Sequence, residues 1–224
     1  MNRLEPPSLE RRELGSDEQV VARILGGEAD LFEVIMRRNN TRLYRAARSI
    51  LRSDDEAEDV MQDAYVRAYT HLGDFRGGAA FSTWLTRIAV HEALARLRRR
   101  KKNVSIEDEF GTEDEIMAVE HRSPEQRTHD RELRGALEEA IDALPVAFRT
   151  VFVLRSVEEM SIADTAATLG IPEDTVKTRL HRARRLLQES LVERLEAATR
   201  GAFAFERPRC DRIIGGVLER IRTQ

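Results

Sequence analysis

The stretch "SIADTAATLGIPEDTVKTRLHRARRLL", Ser161 to Leu187, decides the reading of the fold. Ser161 can cap a helix, with Asp164 three residues on, and Ile162, Ala166 and Leu169 recur at helical spacing as its buried face. Gly170 permits the sharp reversal that follows, because glycine enters the left-handed region at the end of a helix without a Cβ penalty. Pro172 fits the first turn of a second helix, and Glu173 and Asp174 favour its positive dipole end. Two short helices joined by a glycine turn form the helix-turn-helix pattern. In the second helix Val176, Leu180, Ala183 and Leu187 fall in a narrow arc that packing claims. Thr178, His181, Arg182 and Arg185 point away from that arc, with Thr175, Lys177 and Arg184 along its flanks.

Those outward residues have the chemistry of a DNA-reading surface. The guanidinium is a planar fork that can meet guanine edges and phosphate oxygens, and a threonine hydroxyl can donate or accept. The alternative is an amphipathic helix with a solvated basic face, but such faces usually interleave glutamates for pairing. Here the acids are confined to the first turn, and Lys177, Arg179, Arg182, Arg184 and Arg185 follow almost without interruption.

The surroundings of this element are helical throughout. The 224 residues are 41% hydrophobic and 34% charged with 5% aromatics and 6 prolines, and Leu, Ala, Glu and Arg abound. That balance favours an all-α chain with small cores. Its net charge of −3 conceals segregation: "ARLRRRKK", Ala95 to Lys102, is basic, "EDEFGTEDE", Glu107 to Glu115, is acidic, and Lys177 to Arg185 is basic again. No apolar run approaches the roughly 20 residues of a membrane span, and the N-terminus lacks a secretory signal core, so a cytoplasmic protein without membrane insertion is expected. The lone Cys210 allows no intramolecular disulfide and no CxxC pair; it reads as a small buried hydrophobe. The five histidines form no HExxH and no metal spacing with carboxylates, and no glycine-rich phosphate loop follows a strand, so neither cofactor, metal nor catalysis is expected.

Working outward, residues 1–15, with Pro6 and Pro7, read as a mobile leader. Ser16 with Gln19 makes a capping box ahead of Val20, Val21, Ile24 and Leu25, and Gly26 and Gly27 end that helix. Leu31, Phe32, Ile35, Met36, Leu43, Tyr44, Ala47, Ile50 and Leu51 continue at helical spacing as core. Ser53 with Glu56 starts another helix, which keeps Ala57, Val60, Met61, Ala64, Ala68 and Leu72 on one side and projects Asp55, Asp59, Gln62 and Asp63 from the other. "GDFRGGAAFSTW", Gly73 to Trp84, is a loop or tight turn before helix resumes to Lys102. Residues 103–124 are acidic with little apolar periodicity and read as a linker. Helical pattern returns from about 125, with Leu133, Leu137, Ile141 and Leu144 before Pro145, then Phe148, Val151, Phe152 and Leu154. The expectation is two small helical domains, 16–102 and 125–192, joined by the acidic linker, with the helix-turn-helix in the second and an extension over 193–224.

Two blocks, "DDEAEDVMQDAYVRAYTHLGDFRGGAAFSTWLTRIAVHEALARLRRR" and "ALPVAFRTVFVLRSVEEMSIADTAATLGIPEDTVKTRLHRARRLL", in this order around an acidic linker, resemble a bacterial RNA polymerase sigma factor of the extracytoplasmic-function subfamily. The likeness runs from Ser16 to Val192. It implies core RNA polymerase and promoter DNA as partners, with an anti-sigma factor as a further candidate. Asp55, Glu58, Asp59, Gln62 and Asp63 would then dock on the clamp helices of the polymerase's largest subunit; carboxylates clear of a core stripe suit a cationic protein and repel DNA.

By the same resemblance the glycine loop and the helix after it would open and hold the promoter's minus-ten box, through Arg76, Phe81, Ser82, Thr83, Trp84, Arg87, His91, Arg98 and Arg99. Five of the chain's twelve aromatics, Tyr65, Tyr69, Phe75, Phe81 and Trp84, lie here. Tyr65, Tyr69 and Trp84 are expected mostly in the core, leaving Arg76 to Ser82 as the better cradle for an extruded base. Relatives often carry Asn where His91 stands and Asp where Ala95 stands, so no base preference follows for that box. Thr175, Lys177, Thr178, Arg179, His181, Arg182 and Arg185 would read the minus-thirty-five box as duplex. The linker would thread the polymerase's RNA path or serve as a plain tether. Ile213, Ile214, Val217, Leu218 and Ile221 describe a short amphipathic helix that needs a partner surface, the second domain or an accessory regulator. The competing function is a self-sufficient helix-turn-helix regulator, which would need a dimer interface and a sensor pocket; a tethering adaptor is the third.

Overall fold

The computed structural model describes residues 14–102, 129–201 and 207–222, and among them the chain is helical with no strand. The expected leader falls almost wholly, and the acidic linker wholly, outside the described residues. Close contacts divide the chain between Leu187 and Gln188.

The first helix, α1 (Asp17–Leu25), starts with the expected capping box: Ser16 N–H donates to Gln19 Oε1 at 2.9 Å and the Ser16 hydroxyl accepts from Gln19 N–H. A 3-10 turn leads into α2 (Phe32–Leu51), the spine of the unit. The next helix, α3 (Asp54–Thr70), is capped by Ser53, whose hydroxyl accepts from Glu56 N–H. α4 (Phe81–Lys102) packs across α2 and α3. It begins three residues before the expected loop would have ended, and its first backbone N–H, on Phe81, donates to the Glu18 carboxylate of α1 at 3.0 Å. A carboxylate 63 residues upstream thus caps this helix, which local sequence cannot reveal. Val20, Ile35, Leu43, Ala64, Phe81 and Leu85 lie in the core of this part.

The second part comprises α5 (His129–Ala143), α6 (Val146–Phe152), α7 (Ile162–Leu169) and α8 (Glu173–Gly201). A five-residue π turn, Val153–Val157, extends α6 and brings Val153 and Leu154 into the core. Leu137, expected in the apolar stripe of α5, is exposed. The turn between α7 and α8 is as read: Ser161 Oγ accepts from Asp164 N–H at 2.9 Å, and Gly170 is left-handed at φ 65°. α8 runs through Val192 to Gly201 without a break.

The two helical groups close on each other. Ala46, Ala47, Ile50 and Leu51 of α2 and Val90, Ala93 and Leu94 of α4 share one buried cluster with Val151, Leu154, Met160, Ala166, Leu169 and Val176. The back of the helix-turn-helix is therefore covered by α2 and α4. Beyond Leu187, the end of α8 and α9 (Arg207–Arg222) form a second unit; the five apolar side chains expected on α9 are all exposed. The Cys210 side chain lies outside what the structure describes.

Candidate polymerase and nucleic-acid interfaces

Three surfaces carry the residues singled out from sequence. The first is the outer face of α3. Burial of Ala57, Val60, Ala64 and Ala68 turns Asp55, Glu58, Asp59, Gln62 and Asp63 to solvent, all five exposed. Only Asp55 stands in the first turn, so helix-dipole compensation does not account for the ridge. Asp59 Oδ2 accepts from Arg96 at 2.9 Å, an exposed pair that water and a competing cation can displace. The exposed stripe then continues at heptad spacing through Val66, 68% exposed, and Tyr69, 46% exposed, with Tyr69 edge-on to Phe32. The expectation that Tyr69 lies mostly in the core is therefore corrected: its ring packs on Phe32 with much of its surface in solvent. Tyr65 is buried, its hydroxyl donating to Asn40 Oδ1 at 2.8 Å, and burial pushes its ionisation upward.

The second surface is the loop before α4 and the helix itself. Phe75, Phe81 and Trp84 pack as a cluster, with ring centres 5.1 to 5.7 Å apart. Phe81 is fully buried and Thr83 is buried, so in this conformation neither offers a surface to a nucleotide. Trp84 and Arg87 are half-buried, while Arg76, Arg98 and Arg99 are exposed. Gly77, at φ 72°, makes the turn that presents Arg76. Ser82 is engaged by another side chain: its hydroxyl accepts from Arg42 Nη1 at 2.8 Å. His91 Nε2 lies 3.0 Å from the Thr168 carbonyl oxygen on α7.

The third surface is the start of α8. Val176 and Ala183 are fully buried and Leu187 nearly so, which leaves Lys177, Thr178, His181, Arg182 and Arg185 exposed and Thr175 half-buried. Thr178, His181, Arg182 and Arg185 form one stripe at i, i+3, i+4 and i+7, the row a helix can lay along a groove. Thr178 Oγ1 donates to the Asp174 carbonyl at 2.9 Å, so its remaining lone pairs face outward as acceptors. Lys177 pairs with Asp174 at 2.9 Å, raising the lysine's pKa and lowering the aspartate's. Arg179 is half-buried, and that burial lowers its pKa. It sits deeper than its neighbours and belongs to the flank rather than the stripe.

Sequence reasoning passed over a fourth group. Arg42, Arg45 and Arg48 recur every third residue on α2, and the first two reach Glu158, which is buried at 7% exposure. Arg48 forms a bidentate pair with Asp142, at 2.8 and 3.1 Å. Arg149, 3% exposed, donates to the carbonyls of Ser49, Asp142 and Leu144 at 2.5, 2.8 and 2.9 Å. The i, i+3 spacing of cations beside the apolar stripe of α2 was the available signal. Among the described residues no cluster of three or more His, Cys, Asp or Glu side chains could hold a metal, and no helix is long and apolar enough to cross a membrane.

An all-helical chain that separates an acidic helix face from a helix-turn-helix with a cationic stripe has the layout of a DNA-binding protein that also docks on another protein. The family descriptions Sigma-70 region 2 and Sigma-70, region 4 match residues 35–103 and 134–187. The chain is 34% identical over 176 residues to the ECF RNA polymerase sigma factor SigW of Bacillus subtilis, covering 76% of this chain and 94% of that protein. It is 37% identical over 178 residues to the ECF RNA polymerase sigma factor SigM of Mycobacterium tuberculosis, covering 79% and 85%. Among solved structures it resembles CnrH in complex with the cytosolic domain of CnrY, with a TM-score of 0.56, 26% identity, and 80% and 99% of the two chains covered. It also resembles the sigma factor RpoE of Bartonella quintana in complex with the anti-sigma factor NepR, with a TM-score of 0.55, 28% identity, and 71% and 96% covered. The chain belongs to the extracytoplasmic-function sigma factors of the sigma-70 family. It directs promoter-specific transcription initiation by RNA polymerase.

Proposed function

We propose a division of labour among these surfaces. The ridge Asp55, Glu58, Asp59, Gln62 and Asp63 docks on the polymerase's clamp helices. Residues 16–102 hold the melted minus-ten box through Arg76, Trp84, Arg87, Arg98 and Arg99. Residues 125–192 read the minus-thirty-five box through Thr178, His181, Arg182 and Arg185, flanked by Thr175, Lys177 and Arg179. Phe81, Ser82, Thr83 and His91 belong to the minus-ten surface as its support, since the first three lie in the first turn of α4 and His91 two turns further along. The polymerase supplies the chemistry and this chain the choice of promoter, working beside the polymerase in the cytoplasm. An anti-sigma protein fits as a regulator, because the solved relatives CnrH and RpoE are each held by a partner protein.

One observation carries this reading: carboxylates and guanidinium groups stand on separate, solvent-facing helix stripes, each opposite an apolar core face. A cationic protein surface and a polyanion can each be met without cancelling the other. The test adds the pure protein to sigma-free core polymerase with a promoter library. Transcripts from a discrete promoter set support the reading, while tight sequence-specific DNA binding without polymerase would favour an independent regulator. Asp59→Arg should abolish core association with helicity unchanged; undiminished association would refute the docking assignment.

A further inference from the structure

The surfaces assigned above leave α1 without a role, yet it is firmly held. Val20, Val21 and Ile24 are buried in the core that also contains Phe81 and Leu85. Asp17, in its first turn, accepts from Arg38 Nη1 at 3.1 Å and from Asn39 Nδ2 at 3.0 Å, and Arg38 also donates to the Gly15 carbonyl at 2.9 Å. Asn39 is buried and its amide donates as well to the Ile35 carbonyl at 3.0 Å, so two side chains of α2 fix the start of α1.

That anchorage decides where Glu18 reaches. With Asp17 engaged by α2, the next side chain meets α4, and its Oε1 accepts from the Phe81 N–H at 3.0 Å. The first N–H groups of a helix have no acceptor within it, and Ala80, just ahead of α4, has no side-chain oxygen to serve as one. The residue capped in this way also ends the glycine loop. Phe75 immediately precedes Arg76 and Phe81 immediately follows Ala80, and both rings pack with Trp84 at centre distances of 5.1 to 5.7 Å. The loop is thus pinned at its two ends by one aromatic cluster, and the placement of Arg76 and Trp84 follows from where α4 begins.

We propose that Glu18 is a positioning residue for capture of the minus-ten strand: it sets the start of α4 and, through the cluster of Phe75, Phe81 and Trp84, the loop and the tryptophan that meet the nucleotides. This rests on the minus-ten role proposed above. Glu18 acts through the Phe81 N–H and not on the nucleic acid itself, and the two possibilities differ in sign. A carboxylate beside a phosphate repels it, so removing a DNA-facing Glu18 would tighten binding. Removing a Glu18 that positions the loop weakens it, because the first turn of α4 frays and the loop loses its fixed end.

The test uses the full chain with core polymerase and a fluorescent single strand carrying the non-template minus-ten box of a promoter recovered in the transcription test above. Glu18→Ala should weaken strand binding about two- to tenfold, the equivalent of a lost helix cap, while association with core, which uses α3, keeps its parental affinity. Glu18→Gln retains an acceptor without the charge and should fall between. Trp84, the only tryptophan of the chain, reports the start of α4 directly: its emission in the free full-length protein should shift to the red in Glu18→Ala as its ring loses its aromatic neighbours to water. Adding Ala80→Ser to Glu18→Ala supplies a local cap and should restore both the emission and the strand affinity, which a general loss of stability would not allow. Unchanged or tighter strand binding in Glu18→Ala, or weakened binding that Ala80→Ser does not repair, would overturn the positioning role. A parental complex that binds no such strand would instead overturn the minus-ten reading on which the role rests, and the role with it.

Discussion

Replacing Arg149 by methionine removes a guanidinium that serves two helix ends at once. Its three acceptors are the carbonyls of Ser49, in the last turn of α2, and of Asp142 and Leu144, at the end of α5. Final-turn carbonyls have no donor within their own helix, so a buried end needs an external one. Charged hydrogen bonds contribute about 1.5–3 kcal/mol each, which would place three of them near 4.5–9 kcal/mol. Opposing this is the cost of dehydrating the cation, visible in a pKa that burial pushes down to about 10, with the Arg52 charge adding to the shift. The group therefore remains cationic at neutral pH, yet the fold recovers several kcal/mol when the charge is removed. Methionine approximates the volume and removes that cost but leaves the carbonyls unpaired, so a net loss of about 2–4 kcal/mol is expected. Urea unfolding followed by circular dichroism measures it. Arg149→Lys should fall between, because one ammonium cannot fork to three carbonyls. A loss under about 0.5 kcal/mol for Met would show that the three bonds only repay dehydration, and the double-capping argument would be wrong.

Three further outcomes are expected. Glu159 is exposed and held at φ 55°, so Glu159→Gly should stabilise by about 0.5–1 kcal/mol in the same assay, the relief of left-handed strain outweighing the extra freedom of the unfolded chain. Glu18→Gln should cost about 0.5–1 kcal/mol at neutral pH by weakening the cap on Phe81. The Phe81 N–H chiefly lowers the Glu18 pKa, so the carboxylate's contribution is fully present above the ordinary carboxylate range and disappears as pH falls through the lowered folded value; the gap between variant and parent should close toward acid. Arg182→Ala and Arg185→Ala should each weaken recognition of the upstream box by about 1–3 kcal/mol in binding of the polymerase complex, with discrimination lost at particular base positions; a uniform loss across sequences would assign these side chains to phosphates.

The sequence alone determined whatever depends on neighbours within a turn or two. Ser16, Ser53 and Ser161 cap the helices they were read to cap, Gly170 makes the reversal, and the apolar arc of Val176, Ala183 and Leu187 fixes which side chains of α8 face outward. Helical periodicity likewise turned Asp55, Asp59, Gln62 and Asp63 away from the core, because burial of every third or fourth residue leaves the opposite face no other place. Only the tertiary structure decided that Phe81 and Thr83 are core rather than loop, since the cap that starts α4 there comes from Glu18. It alone showed that Arg42, Arg45, Arg48 and Arg149 join two modules that the acidic linker divides along the sequence. Local pattern says which face of a helix avoids water. Which surface covers that face depends on contacts about a hundred residues apart, such as Arg42 with Glu158 and Ser49 with Arg149, and these carry no periodic signature.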